Sequence, residues 1–185
     1  MPDKITDKQI DRVSPPLPSL TFSPQAAEKL RLYVGLCPFE ISGLGEVEIQ
    51  PSGFLVTDLF LPRQRCYYTF TELLPDELAR FLISYVGRGK DPARLTLWWH
   101  SHADMDVFWS PTDDYTARGF HNDYMLSLVT NKTGDSLCRL DLFQPLALTI
   151  DRLEVIMPPG PPAEDRATVD LIRKEIADQV MIYTE

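Results

Sequence analysis

Between Leu95 and Asp114 the chain reads LTLWWHSHADMDVFWSPTDD, a strand pattern that runs into a helix start with two histidines and several carboxylates along the way. Leu95, Leu97 and Trp99 alternate with Thr96, Trp98, His100 and His102. That alternation predicts a β-strand with the first set turned inward and both histidines on the other face. Positions two apart on one strand face lie roughly 6–7 Å apart, a span over which two imidazole nitrogens can converge on one ion at about 2.0–2.1 Å each. Ser110-Pro111-Thr112-Asp113 then has the order of a helix start, with a hydroxyl at the N-cap, proline at the first helical position and an acid at N3. Asp113 is therefore the expected third ligand. The spacing from Ser110 selects it over Asp114, which is expected to be solvated. Two neutral imidazoles and one carboxylate leave a tetrahedral Zn²⁺ one open position, an arrangement that suits catalysis rather than scaffolding.

Taken singly, each of these residues has a plainer reading. A lone strand histidine is more often a satisfied core residue, and Ser110 has a role as an N-cap whose oxygen accepts a backbone N–H. The metal reading rests on the three residues occurring together at this spacing. His121, the remaining histidine, is expected on the surface, because a fourth protein ligand would close the water position. Trp98 and Trp99 are expected in the core or the cleft wall. Asp104 and Asp106 are expected in solvent, where they can also meet a basic substrate.

The rest of the chain predicts an α+β domain. Residues 1–20 carry Ser14-Pro15-Pro16-Leu17-Pro18, lack apolar periodicity and read as an arm. Ser23-Pro24 opens a helix, and Ile41 to Ile49 with Phe54 to Leu61 form a hairpin around Pro51-Ser52-Gly53, in which Ile41, Val47 and Ile49 face inward and Glu46 and Glu48 outward. Gly43 and Gly45 break that alternation and mark a close approach by another group. Tyr67 to Phe70 reads as a short strand. A helix from Pro75 buries Leu78, Phe81, Leu82, Tyr85 and Val86. After the metal strand, Tyr124 to Thr130, Ser136 to Phe143 and Leu146 to Met157 read as an antiparallel meander. Beyond a proline-rich turn, Val169, Ile172, Ile176 and Val180 form the apolar stripe of a final helix that packs back on the domain.

Composition narrows the function. The 185 residues carry a net charge of −9, which repels nucleic-acid backbones and anionic membranes and favours basic partners. Cys37, Cys66 and Cys138 are scattered and odd in number, which fits neither a disulfide framework nor a cysteine zinc knuckle. With no signal-like segment and no apolar run of membrane-spanning length, a cytoplasmic protein is expected.

His100-Ser101-His102, the seven residues Ala103 to Trp109 and Ser110-Pro111-Thr112-Asp113 resemble the motif of the JAMM (JAB/MPN) metalloproteases. That motif is a distant Glu, then His-Ser/Thr-His, seven residues and Ser-x-x-Asp. Glu40, in Glu40-Ile41-Ser42-Gly43, is similar to the family's Glu followed by a glycine-containing strand. Ala103 departs from it, standing where many members carry proline. The resemblance implies an MPN fold over residues 21–157, a mixed and mainly antiparallel sheet flanked by helices, with residues 158–185 as a turn and helix packed on it. It also implies a zinc-dependent isopeptidase or peptidase, with His100, His102 and Asp113 on Zn²⁺, Glu40 as proton shuttle and Ser110 steadying the oxyanion. The implied substrate is the C-terminal amide of a ubiquitin-like protein. Its tail would enter by adding a strand beside the metal strand or the Glu46 to Ile49 strand. The short stretch from Asp114 to Tyr124 resembles compact prokaryotic or phage members rather than chain-specific deubiquitinases. Two other classes stay open: a non-catalytic MPN scaffold, and a non-haem iron oxygenase, whose facial triad is also two histidines and a carboxylate.

Overall fold

Ser23 and Pro24 begin the first helix as expected, with Ser23 Oγ accepting the Ala26 N–H at 3.1 Å. In chain order the elements are β1 (Ser19–Phe22), α1 (Pro24–Leu36), β2 (Ser42–Gln50), β3 (Gly53–Phe60), β4 (Gln64–Cys66), β5 (Thr71–Leu73), α2 (Pro75–Gly87), β6 (Leu95–Ser101), α3 (Pro111–Arg118), β7 (Tyr124–Thr130), β8 (Ser136–Leu142), β9 (Leu148–Asp151), β10 (Val155–Ile156), α4 (Arg166–Gln179) and β11 (Val180–Ile182). The computed structural model describes residues 17–120, 122–160 and 165–183. The fold is α+β, with a mixed eight-stranded sheet in the order β10-β1-β3-β2-β6-β7-β8-β9 and a three-stranded sheet in the order β11-β4-β5. No helix among the described residues is long and apolar enough to cross a membrane.

The metal strand β6 lies mid-sheet, antiparallel to β2 and parallel to β7, and all of it is buried. Its two faces feed two cores. Leu97 and Trp99 join the larger core with α1 and α4, and Trp98 joins a second with Tyr85 of α2 and Ala117 of α3. Leu95, expected with Leu97, packs instead beside Trp98, where the β2–β6 register shifts between Gly45 and Glu46. Trp99 stacks on Tyr33 at 5.5 Å, and such a pair adds about 0.5–1.5 kcal/mol beyond its burial. Gly43 makes room for this, because a Cβ there would lie 2.6 Å from Trp99 Cζ2. The group expected against the Gly43–Gly45 strand is thus Trp99, with Leu97 beside Gly45.

Several expectations need correction. Ile49 is 71% exposed rather than inward, because it lies at the hairpin end of β2 beyond its pairing with β6, and Glu46 is buried, because its face of the sheet is covered by Tyr85 of α2. The Glu46 carboxylate accepts from the Tyr85 hydroxyl and from Lys90 Nζ at 3.1 Å, which offsets its burial. Tyr67 to Phe70 is the turn between β4 and β5, closed by the Tyr67 N–H donating to Phe70 O and by the two rings stacking at 4.0 Å. On α2 only Tyr85 is fully buried, and Val86 is 51% exposed.

The Leu146 to Met157 segment is not one strand of a meander. β9 pairs with β8 at one end of the sheet and β10 pairs with β1 at the other. The chain turns between them at Arg152, where φ is +58°. The Leu153 N–H still donates to Cys138 O of β8 at 2.9 Å, so the sheet curls toward closure there. β7 runs parallel to β6, not antiparallel. The final helix packs through Val169 and Ile172, but Val180 begins β11 beside β4. Residues 1–16 of the expected arm lie outside the described residues, whereas Ser19 and Leu20 belong to β1. All three cysteines are buried and free.

This topology bears on the expected mode of substrate entry. β6 has a strand on each side and cannot accept another. On β2, pairing with β6 ends at Glu46, so among the described residues Val47 to Gln50 have no strand on that side.

Candidate metal centre

His100 and His102 project from one face of β6, and α3 begins opposite them. Ser110 and Asp113 form a reciprocal capping box, in which Ser110 Oγ accepts the Asp113 N–H at 3.2 Å and Asp113 Oδ2 accepts the Ser110 N–H at 2.7 Å. The box turns the Asp113 carboxylate toward the strand. Asp113 Oδ1 lies 3.1 Å from His100 Nε2, and Oδ2 lies 3.8 Å from His102 Nε2. One ligand atom from each of the three residues falls within 4.8 Å of the others, and all three side chains are buried.

The loop between strand and helix is anchored to the β7–β8 turn. The Lys132 N–H donates to Ala103 O at 2.9 Å, Asn131 Nδ2 donates to Met105 O at 3.1 Å, and Lys132 Nζ pairs with Asp104 at 2.9 Å. Ala103 holds φ +48°, a left-handed conformation that costs an L-residue about 1–2 kcal/mol. Proline, locked near φ −65°, cannot adopt it, so the loop must leave β6 here along a path closed to a proline-bearing chain.

The donor set could hold a metal ion. His102 Nδ1 faces Asp106 O at 2.9 Å. An Nδ1–H donated to that carbonyl leaves the Nε2 lone pair directed at the site, the usual orienting device for a ligating imidazole. His100 Nε2 is buried without a hydrogen-bond partner, since its 3.1 Å approach to Asp113 lacks the alignment of a hydrogen bond. A buried nitrogen without a partner, aimed at a carboxylate and a second imidazole, matches the place of a cation. Oxygen and imidazole ligands without a thiolate suit Zn²⁺ and other divalent first-row metals.

For His100 and Asp113 the electrostatics point the same way. Burial holds the His100 pKa down and so favours the neutral, ligating form. His102 is opposed by burial too, but Asp113, the Asp106 carbonyl and Glu40 outweigh it and raise its pKa. Burial alone would raise Asp113, yet the two histidines and the Ser110 N–H hold its carboxyl well below the usual range. Trp98 stacks on His100 at 4.6 Å, and Phe108 stands edge-on to His102 at 4.6 Å. These aromatic walls strengthen every charge interaction inside them.

Glu40 joins the group from a separate part of the chain. Ser101, between the two ligands, makes the connection: its N–H donates to Ile41 O at 2.8 Å and its Oγ accepts the Ile41 N–H at 3.2 Å. The Glu40 N–H donates to Tyr67 O at 3.2 Å. Its side chain is only 4% exposed. Its pKa is pushed up to about 7, first by burial and then by Asp113, with His102 opposing.

Ser110 forms the expected N-cap. A hydroxyl has two lone pairs and one proton, and the cap uses a lone pair, so the O–H remains free to donate. Asp114 is not simply solvated, because it pairs with Arg139 at 2.6 Å. Asp104 is paired with Lys132. His121 lies outside the described residues. Sequence reasoning missed the Asp106 carbonyl and Arg139. The first is a backbone group that leaves no residue-type signal, and the second is a strand arginine whose face is set by distant pairing. No protein-family model and no curated protein matches the chain.

Proposed function

We propose that this protein is a zinc-dependent peptidase or isopeptidase of the JAMM type, built on an MPN fold and acting on the C-terminal amide of a ubiquitin-like protein. His100, His102 and Asp113 would hold the metal. When bound there, Zn²⁺ supplies Lewis-acid polarisation of a carbonyl and acidification of water. The chain's own residues supply the rest. Glu40 takes the proton of the attacking water and delivers it to the leaving amine, so a pKa near working pH lets one carboxyl act first as base and then as acid. The Ser110 hydroxyl, already positioned by its cap, donates toward the carbonyl oxygen as charge develops on it. Trp98, Phe108 and Trp109 limit water around the reacting group.

The reading is supported most by Glu40, a buried carboxylic acid within the fields of His102 and Asp113 whose pKa is pushed up to about 7. A structural metal site has no use for such a group. Glu40→Gln keeps the shape and removes the base. Cleavage of a ubiquitin-like fusion should fall about 10²–10⁴-fold while zinc content stays at the wild-type level. An unchanged rate would remove Glu40 from the mechanism. A wild type that cleaves no such fusion would favour the scaffold reading.

A further inference from the structure

Arg139 of β8 pairs in register with Ser127 of β7, which pairs with Trp98 of β6. Strand alternation therefore puts Arg139 on the face that carries His100. The residue is 8% exposed, and an arginine so deep requires partners. Nη1 donates to Asp114 Oδ1 at 2.6 Å, Nε lies 3.2 Å from Asp141 Oδ2, and Cζ sits 4.3 Å from the centre of the Trp109 ring. The Trp109 ring is in turn 6.1 Å from His100. Two of these contacts bracket the capping box, since Trp109 immediately precedes Ser110 and Asp114 immediately follows Asp113.

We infer that Arg139 is a positioning residue of the metal centre: it ties Trp109 and Asp114 to the sheet and so fixes the direction in which the first turn of α3 presents Asp113 and Ser110. This rests on the metal site proposed above. The capping box alone cannot do the job, because it is internal to α3 and would form at any angle of helix to sheet. Nor can burial alone, since α3 has eight residues and, apart from Asp113, buries only Ala117. A helix that short does not hold itself in place. The guanidinium offers a flat face for Trp109 and an edge for Asp114 at once, a geometry lysine lacks.

Removing Arg139 would take from buried Asp141 its cationic partner and leave it the Thr149 hydroxyl alone, so the sharper probe is Asp114, whose side chain is 45% exposed. Zn²⁺ is titrated into metal-free full-length protein against a chromophoric chelator, and thermal unfolding is followed on the same metal-free samples. Asp114→Ala should weaken zinc binding about tenfold, within the range for outer partners of metal ligands, while the metal-free Tm moves by no more than about 2 °C. Arg139→Lys should also weaken it although the charge is kept. Asp151→Asn removes the same charge from β9, opposite Arg139 in register, and should leave affinity within about twofold of wild type. If Asp114→Ala fails to fold, Asp114→Asn carries the same test.

Wild-type affinity in the Asp114 variant would overturn the inference. So would an equal loss in Asp151→Asn, which would reduce the effect to the field of any nearby carboxylate. A wild type that binds no zinc would overturn the metal site itself, an outcome distinct from either.

Discussion

His100, His102 and Asp113 belong to one strand–loop–helix unit, whereas Glu40 precedes β2 and is tied to that unit through the bonds of Ser101 to the backbone of Ile41, with its own N–H on Tyr67 O. The first group is held by local devices: alternation along β6, the reciprocal Ser110–Asp113 cap and the tethers to Asn131 and Lys132. The second is held by the seam between two strands distant in sequence. The ligand set should therefore survive damage to the β2–β6 seam, and the alignment of Glu40 should not. Under the proposed function, metal binding and turnover would depend on different parts of the fold and be separable by mutation.

The largest expected effect lies on the local side. His102→Ala leaves two protein ligands and should reduce zinc per chain, measured by elemental analysis, from stoichiometric to background. Stoichiometric zinc in that variant would mean that the ligands are other residues.

Next comes the cost of keeping Glu40 buried. In metal-free protein its carboxyl has a folded pKa of about 7 against an ordinary value of 4.5. The folded state therefore holds a proton that the unfolded state has lost between those values, and stability falls as pH rises through the window. At about 1.4 kcal/mol per unit, ionised Glu40 destabilises the fold by on the order of 3 kcal/mol at pH 8. Glu40→Gln should thus be more stable than wild type at pH 8 and nearly equal to it at pH 4 in chemical denaturation. A variant less stable at pH 8 would contradict the burial argument.

Ser101→Ala gives the smallest effect on stability and the clearest separation of the two regions. It leaves the buried Ile41 N–H without its side-chain acceptor, a loss of about 1–3 kcal/mol, and loosens the link to Glu40. Zinc should remain bound while cleavage of the fusion falls. Loss of zinc along with activity would show that the ligand set depends on the seam after all.

What the sequence made legible follows the same division. His-x-His on a strand and Ser-Pro-x-Asp at a helix start are short-range patterns, and the side chains converge as those patterns require. Glu40 was selected by its resemblance to a family motif, since nothing local marks it as buried. The short strands β1, β4, β5 and β11 escape a sequence reading because three or four residues carry too little periodicity to declare themselves without their partners. Ile49 is exposed because β6 stops short of the end of β2, and Glu46 is buried because α2 covers the second face of the sheet, neither of which alternation along one strand can show. Arg139 and the Asp106 carbonyl act through tertiary contacts that no spacing in the chain announces.

X-ray absorption at the zinc edge of the wild-type protein tests the central claim most directly. The account predicts two imidazole nitrogens and the rest oxygen at about 2.0–2.2 Å, with no sulfur. A sulfur shell near 2.3 Å, a third imidazole, or no zinc in the protein would contradict it.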